Sequence, residues 1–241
     1  MVKRASRKAS KGRGLGWKRG KPSIEGGLFI SFEGGEGSGK TTQAKRLAQN
    51  LRDKGYDVVE THEPGGSPGG KILREVLLGG HAADQGPLAE ACLLNSSRRE
   101  HVDLVIEPAL NANKVVICDR YADSTRVYQG YVGGLDGRTI QSMEATATKG
   151  LMPKVTFIID IPTDVAEARR KARLGEKGDA DDRFEKEDAA FHGKVREGFR
   201  WVGHDEPERC VVIDGSPDEA SVAKEVAKKV AKVMRARGIP A

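Results

Sequence analysis

Residues 34–41 read Gly34-Gly35-Glu36-Gly37-Ser38-Gly39-Lys40-Thr41, the spacing G-x-x-x-x-G-K-[ST] of a loop that holds phosphate. The chemistry follows from the residue types. Glycines let successive backbone N–H groups turn inward around phosphate oxygens without a Cβ in the way. Lys40 brings a point charge to the outer phosphates of a triphosphate, and Thr41 brings a hydroxyl to the Mg²⁺ that travels with them. Such a loop works between a buried strand and a helix whose N-terminus points at the anion. Both flanks are legible. Residues 28–32 form an apolar strand-like run, and Ala44, Leu47, Ala48 and Leu51 recur at helical spacing from Lys40 to a stop at Gly55. Residues 34–42, through Thr42, are therefore expected to bind a nucleoside triphosphate, with Mg²⁺ on Thr41.

The rest of the chain supplies the frame for this loop. Strand-like runs recur at 56–62, 114–118, 155–161 and 210–214, and the runs at 114–118 and 155–161 are apolar enough to be covered on both faces. Helical patterns lie between them. A short helix carries Ile72, Leu73, Val76 and Leu77 on one face, after a stretch at 63–70 too rich in Gly and Pro for helix or strand. A long helix spans 87–113 with a stripe of Val102, Val105, Ile106, Ala109 and Leu110, which Pro108 should kink or end. A turn or short helix follows at 122–130, then helices at 136–149, 165–174 and 185–201. A terminal helix carries Val222, Val226, Val230 and Val233. Strands alternating with helices predict an α/β fold: a five-stranded, doubly wound parallel sheet with helices on both faces. Its ligands should gather beyond the carboxyl ends of the strands, where Glu33, Glu63, Asp119 and Arg120 fall.

Composition bounds the function classes. The 241 residues suit one domain with a sizeable core, and no apolar run approaches the ~20 residues of a membrane span. Cys92, Cys118 and Cys210 have no metal or redox spacing, and Cys118 and Cys210 adjoin apolar runs, which suits buried thiols there in a reducing, cytoplasmic setting. The five histidines show no ligand spacing either and read as structural or surface residues. The net charge of +6 is misleading. Nine of the 41 Lys and Arg lie in residues 1–24, which leaves 32 against 35 acidic residues in the remainder, a net of −3. Residues 1–25 are thus expected to be a basic disordered extension ahead of a folded domain at 26–238. A passive solubilising tail, an arm that contacts polyanions and an organellar presequence all fit this extension; nucleic-acid contact is expected only through it.

A phosphate loop alone is compatible with GTPases, ATPases, helicases and small-molecule kinases. Polar loops at two further strand ends, and an Arg-bearing stretch at 169–183, suit a small kinase that binds two anionic ligands and closes a lid over them. The combination of short motifs resembles the bacterial thymidylate kinases. The matching pieces are Phe32 to Gln43 around the loop, Glu63-Pro64-Gly65-Gly66, Lys71-Ile72-Leu73-Arg74, and Arg98 with His101. Asp119-Arg120-Tyr121, Ser124 with Tyr128-Gln129-Gly130, and Asp182-Arg183-Phe184-Glu185 follow in the family's order, so that the resemblance spans about residues 27–235.

The resemblance implies a P-loop kinase fold, Mg²⁺-ATP-dependent phosphorylation of dTMP to dTDP, and a homodimer. It also implies residue roles. Lys40 and Thr41 serve the donor phosphates and metal, Asp119 is a carboxylate near the metal, and Arg120 grips the acceptor phosphate. Glu36 contacts the 3′-hydroxyl of the acceptor sugar, and Arg98 hydrogen-bonds its base. Tyr128 packs against C2′, where it leaves no room for a ribose hydroxyl. Arg74, Ser124 and Thr125 add polar contacts, and Glu63, Pro64 and Gln129 complete the acceptor site. The loop carries no basic residue before Lys40, so the charge on the transferred group must come from a lid at about 169–184, with Arg169, Arg173 and Arg183 as candidates. Leu94 stands where the family commonly has a Phe stacked on thymine, and forgoes a stacking term of roughly 0.5–1.5 kcal/mol. Two other readings remain: another nucleoside monophosphate or deoxynucleoside kinase, and a non-catalytic nucleotide-binding module with a basic arm.

Overall fold

The apolar runs pair as one parallel sheet. In the computed structural model, which describes residues 25–79, 83–177 and 183–240 (without the side chains of 83, 173–177, 183 and 185), the strands are β1 (Leu28–Glu33), β2 (Val58–His62), β3 (Val115–Asp119), β4 (Val155–Asp160) and β5 (Cys210–Asp214). Their order is β2-β3-β1-β4-β5. Phe32 pairs with Asp119, so the ends of β1 and β3 lie side by side. This is the expected doubly wound sheet. The basic extension at 1–24 and the middle of the expected lid at 178–182 lie outside the described residues.

Alternation along the strands builds two apolar layers, because successive side chains point to opposite faces. Leu28, Ile30 and Phe32 of β1 pack with Leu47 and Leu51 of α1 (Lys40–Asp53) and with Val226 and Val230 of α9 (Glu219–Ala236). On the other face Phe29, Val116 and Cys118 meet Val102, Ile106 and Leu110. Cys118 and Cys210 are buried as expected, and Cys92 is exposed.

Several local expectations need correction. The helix after β2, α2 (Pro68–Leu78), starts inside the Gly/Pro-rich stretch. Pro68 is pre-set for a first turn, Ser67 caps it, and the Glu100 carboxylate accepts from Ser67 Oγ at 2.6 Å and from the amides of Gly69 and Gly70 at 3.2 and 3.0 Å. Ile72 is exposed rather than packed with Leu77. The long helix is continuous through Pro108: α3 (Gly86–His101) runs through a π-helical stretch, Val102–Ile106, into α4 (Glu107–Asn111). The widened turn, with Glu107 N–H bonded to Val102 O, takes up the register break that a proline imposes.

The stretch after β3 begins as α5 (Ala122–Thr125) and winds on as a second π-helical segment, Arg126–Val132. Arg209 pins its start by a double hydrogen bond to the buried carboxylate of Asp123, at 2.8 and 2.9 Å. Helix α6 (Gly137–Thr148) follows. Beyond β4, α7 (Thr163–Lys177) is longer than its apolar pattern suggested, and α8 (Ala189–Asp205) starts later than expected, with Asp188 as its N-cap.

Candidate active site

The phosphate loop turns between β1 and α1 because its glycines occupy places that a Cβ could not. Gly34 has φ +136°, and a Cβ there would meet Ile159 O of β4 at 2.5 Å; at Gly37 (φ +78°) it would meet Ala166 O of α7 at 2.6 Å. The loop is thus squeezed between β4 and α7. Lys40 begins α1, and its Nζ turns back to donate to Gly35 O at 2.7 Å, with Ser38 Oγ at 3.5 Å. Its side chain is buried. Burial, with repulsion from Arg120, pulls the Lys40 ammonium down to about 8 against the attraction of Asp119, Glu36 and Glu33. Thr41 is exposed at the loop mouth, where its hydroxyl donates to the Asp119 carboxylate at the end of β3. Thr42 is half-buried one residue further on.

A cavity of about 550 Å³ opens in front of this loop, in the size range of ligand pockets. It lies beyond the carboxyl ends of β1, β2 and β3. One end is lined by Lys40, Thr41 and Asp119, the other by Leu94 and Arg98 of α3. Glu36, Glu63, Pro64, Arg74, Arg120, Ser124, Thr125, Tyr128 and Gln129 line the same space, so residues 93 positions apart in sequence are brought together. Gly34, Gly35 and Ser38 face a smaller crevice on the β4 side of the loop.

Arg120 ties the two ends. It sits at φ +69°, a left-handed position that few non-glycine residues hold, with its amide bonded to Phe32 O at 2.9 Å. Its guanidinium donates to Gly34 O and Ser124 Oγ, both at 3.1 Å, and to Glu36 Oε1 at 2.7 Å, and lies over the Tyr128 ring. Tyr128 donates to the same Glu36 oxygen at 2.6 Å. Burial alone would raise the Glu36 pKa. Arg120, the His192 contact, Lys40 and Tyr128 outweigh burial and hold the carboxyl well below its usual range. Glu33, at the end of β1, behaves oppositely. Burial and the nearby Asp123 push it up to about 7, although Ser124 Oγ (2.6 Å), Arg120 and the Tyr121 amide (2.7 Å) favour its charged form.

At the far end, Arg98 is only 1% exposed. Its Nε donates to Glu63 Oε2 at 2.8 Å, Nη1 to Asn95 at 3.0 Å, and Nη2 to Tyr121 O and Thr125 Oγ1 at 3.1 Å. Among the described residues this leaves one Nη1 proton of the five N–H donors for a ligand. Glu63 also binds His101 Nδ1 at 2.9 Å, and His101 Nε2 meets Thr61 Oγ1 at 2.6 Å. Arg74 donates to Pro64 O at 3.0 Å. Gln129 faces Glu90, to which its Nε2 donates at 2.9 Å.

Of the lid candidates, Arg169 donates to Gly215 O at 3.1 Å, and the side chains of Arg173 and Arg183 lie outside the described residues. Sequence reasoning did not single out Arg170 and His192. Arg170 of α7 is buried against the phosphate loop and hydrogen-bonded to His192 of α8. Their only sequence signal is a place on two helices whose packing no local pattern reveals.

The Thr41–Asp119 pair fits Mg²⁺. Both donors are oxygens, and among the described residues no cluster of three or more His, Cys, Asp or Glu is set to hold a metal alone. One hydroxyl and one carboxylate suit an ion bound chiefly through substrate phosphates and water.

A family model described as thymidylate kinase matches residues 32–226. The thymidylate kinase of Caulobacter vibrioides is 44% identical over 204 residues, covering 85% of this chain and 96% of the relative. That of Nitrobacter winogradskyi is 45% identical over 206 residues, covering 86% and 89%. The crystal structure of thymidylate kinase from Ehrlichia chaffeensis superposes with a TM-score of 0.68 at 33% identity, covering 85% of this chain and 98% of that one. The chain belongs to the thymidylate kinase family.

Proposed function

We propose that the protein transfers the terminal phosphoryl group of ATP to dTMP, giving dTDP and ADP. The observation that carries this is the single cavity of about 550 Å³ whose lining runs from Lys40 and Thr41 of the phosphate loop to Leu94, Arg98 and Tyr128. Phosphoryl transfer needs in-line placement and positive charge more than covalent participation by the protein. Lys40 swings from Gly35 O to the donor phosphates, and the loop amides cradle them. Arg120, already fixed between Gly34 and Glu36, grips the acceptor phosphate beside Lys40. Thr41 and Asp119 hold Mg²⁺, which when bound neutralises charge on the donor phosphates. Arg98 reads the base with its remaining N–H, Leu94 covers the ring, and Tyr128 closes the space at C2′. Arg74, Ser124 and Thr125 add polar contacts. Arg173 and Arg183 belong to a lid that excludes water when it closes over the phosphates.

The protein works in the cytoplasm as a homodimer, with residues 1–25 as a separate basic extension. Support for the dimer comes from Ile72 and Leu104, apolar side chains 65% and 57% exposed that a second copy would cover. Among the described residues no helix is long and apolar enough to cross a membrane. A coupled assay of ADP release with ATP, Mg²⁺ and a panel of ribo- and deoxynucleoside monophosphates tests the activity. The highest kcat/KM should belong to dTMP. Preference for another monophosphate, or no turnover with any, would overturn the proposal.

A further inference from the structure

The carboxylate of Glu36 is used unevenly. Its Oε1 accepts from both Arg120 and Tyr128, whereas its Oε2 is buried and has no hydrogen-bond partner among the described residues. His192 Nδ1 lies 3.6 Å from that oxygen. On its other side the imidazole is engaged by the Arg170 guanidinium at Nε2. An arginine can only donate, so Nε2 must accept and the ring proton must sit on Nδ1, directed at Glu36. The Arg170, His192 and Glu36 side chains are all nine-tenths or more buried. Arg170 also presses on the loop itself, since a Cβ on Gly37 would lie 3.1 Å from its Cγ.

We propose that His192 is a positioning residue for the acceptor: held by Arg170, it anchors Oε2 of Glu36 from behind and so keeps Oε1, beside Arg120 and Tyr128, turned to the acceptor cavity. Closing the His192–Glu36 gap to an ordinary hydrogen bond takes a movement of under ~1 Å. The same chain ties the phosphate loop to α7 and α8, so a shift of α7 is felt at the acceptor carboxylate. The inference rests on the reading of Glu36 as the residue that meets the acceptor sugar.

The test is a double-mutant cycle on His192 and Glu36, read as KM for dTMP against KM for ATP. His192→Leu should raise the KM for dTMP about tenfold and leave the KM for ATP within about twofold. His192→Asn, which restores an N–H donor, should recover most of the loss, and Arg170→Met should raise the dTMP KM in the same direction. In a Glu36→Gln background the His192→Leu effect should largely vanish. Additive effects, equal changes in both KM values, or no rescue by Asn would overturn the proposal, since a merely structural histidine gives those results. Should His192→Leu not fold, the Asn and Arg170→Met variants decide by the same comparison. Wild-type failure to phosphorylate dTMP would instead refute the functional reading; normal wild-type activity with unchanged variants would refute only the role of His192.

Discussion

Lys40 turns back onto its own loop and is buried there, which sharpens what its removal should do. Lys40→Ala deletes a charge whose burial is already unfavourable, as its depressed pKa shows, so folding should survive. The transferred phosphate loses its fixed cation, and kcat should fall about 10²-fold or more at saturating ATP. Steady-state rates with circular dichroism as a folding control check this; a variant that keeps more than about a tenth of wild-type kcat, a loss under ~1.4 kcal/mol, would show that Lys40 does not hold that phosphate. At this scale the sequence was legible where one motif carries a residue and its reason together, as for Lys40, Thr41 and Arg120. It was not legible for His192 and Arg170. Their side chains meet only because α7 and α8 both pack against the loop, and nothing in their own neighbourhoods signals it.

Elements carry the site through their ends. The ends of β1 and β3 are adjacent, and Glu33 fastens one to the segment that follows the other through Tyr121 and Ser124. That attachment has a pH signature. With a native pKa of about 7 against an ordinary 4.5, folded Glu33 holds a proton that the unfolded chain releases between those values. Its contribution to stability is therefore full below pH 4.5 and is lost as pH rises through 7. Glu33→Gln keeps an acceptor for the Tyr121 amide and offers an N–H to Ser124 Oγ but cannot ionise, so the melting temperature of the variant relative to wild type should rise from pH 5 to pH 8. A difference that stays flat across this range would contradict the buried, proton-holding carboxyl. Strands and helix α1 could be read directly from apolar runs and spacing. The start of α2 could not, because its first turn is stabilised by Glu100, thirty residues away on α3. The π-helical stretches were equally hidden, since composition does not distinguish a widened turn from an ordinary one.

As a whole molecule, the chain is a mildly acidic kinase domain preceded by a strongly basic segment, and its fold class was legible because the phosphate loop, Glu63-Pro64 and Asp119-Arg120 each follow a strand-like run. What could not be read was how tightly the acceptor wall is interlocked. Tyr128 is hydrogen-bonded to Glu36, lies under Arg120 and packs edge-on against Phe184, all in the same cavity as the phosphate loop. The central claim is that this wall selects a deoxyribose acceptor and presents it to the donor. The most direct measurement is the ratio of kcat/KM for dTMP to that for its ribose counterpart, in wild type and in Tyr128→Ala. A ratio is insensitive to the fraction of folded enzyme, so any loss of stability from removing a buried ring cancels. Wild type should strongly favour dTMP and Tyr128→Ala should lose most of that preference, whereas the same ratio in both proteins would contradict the account.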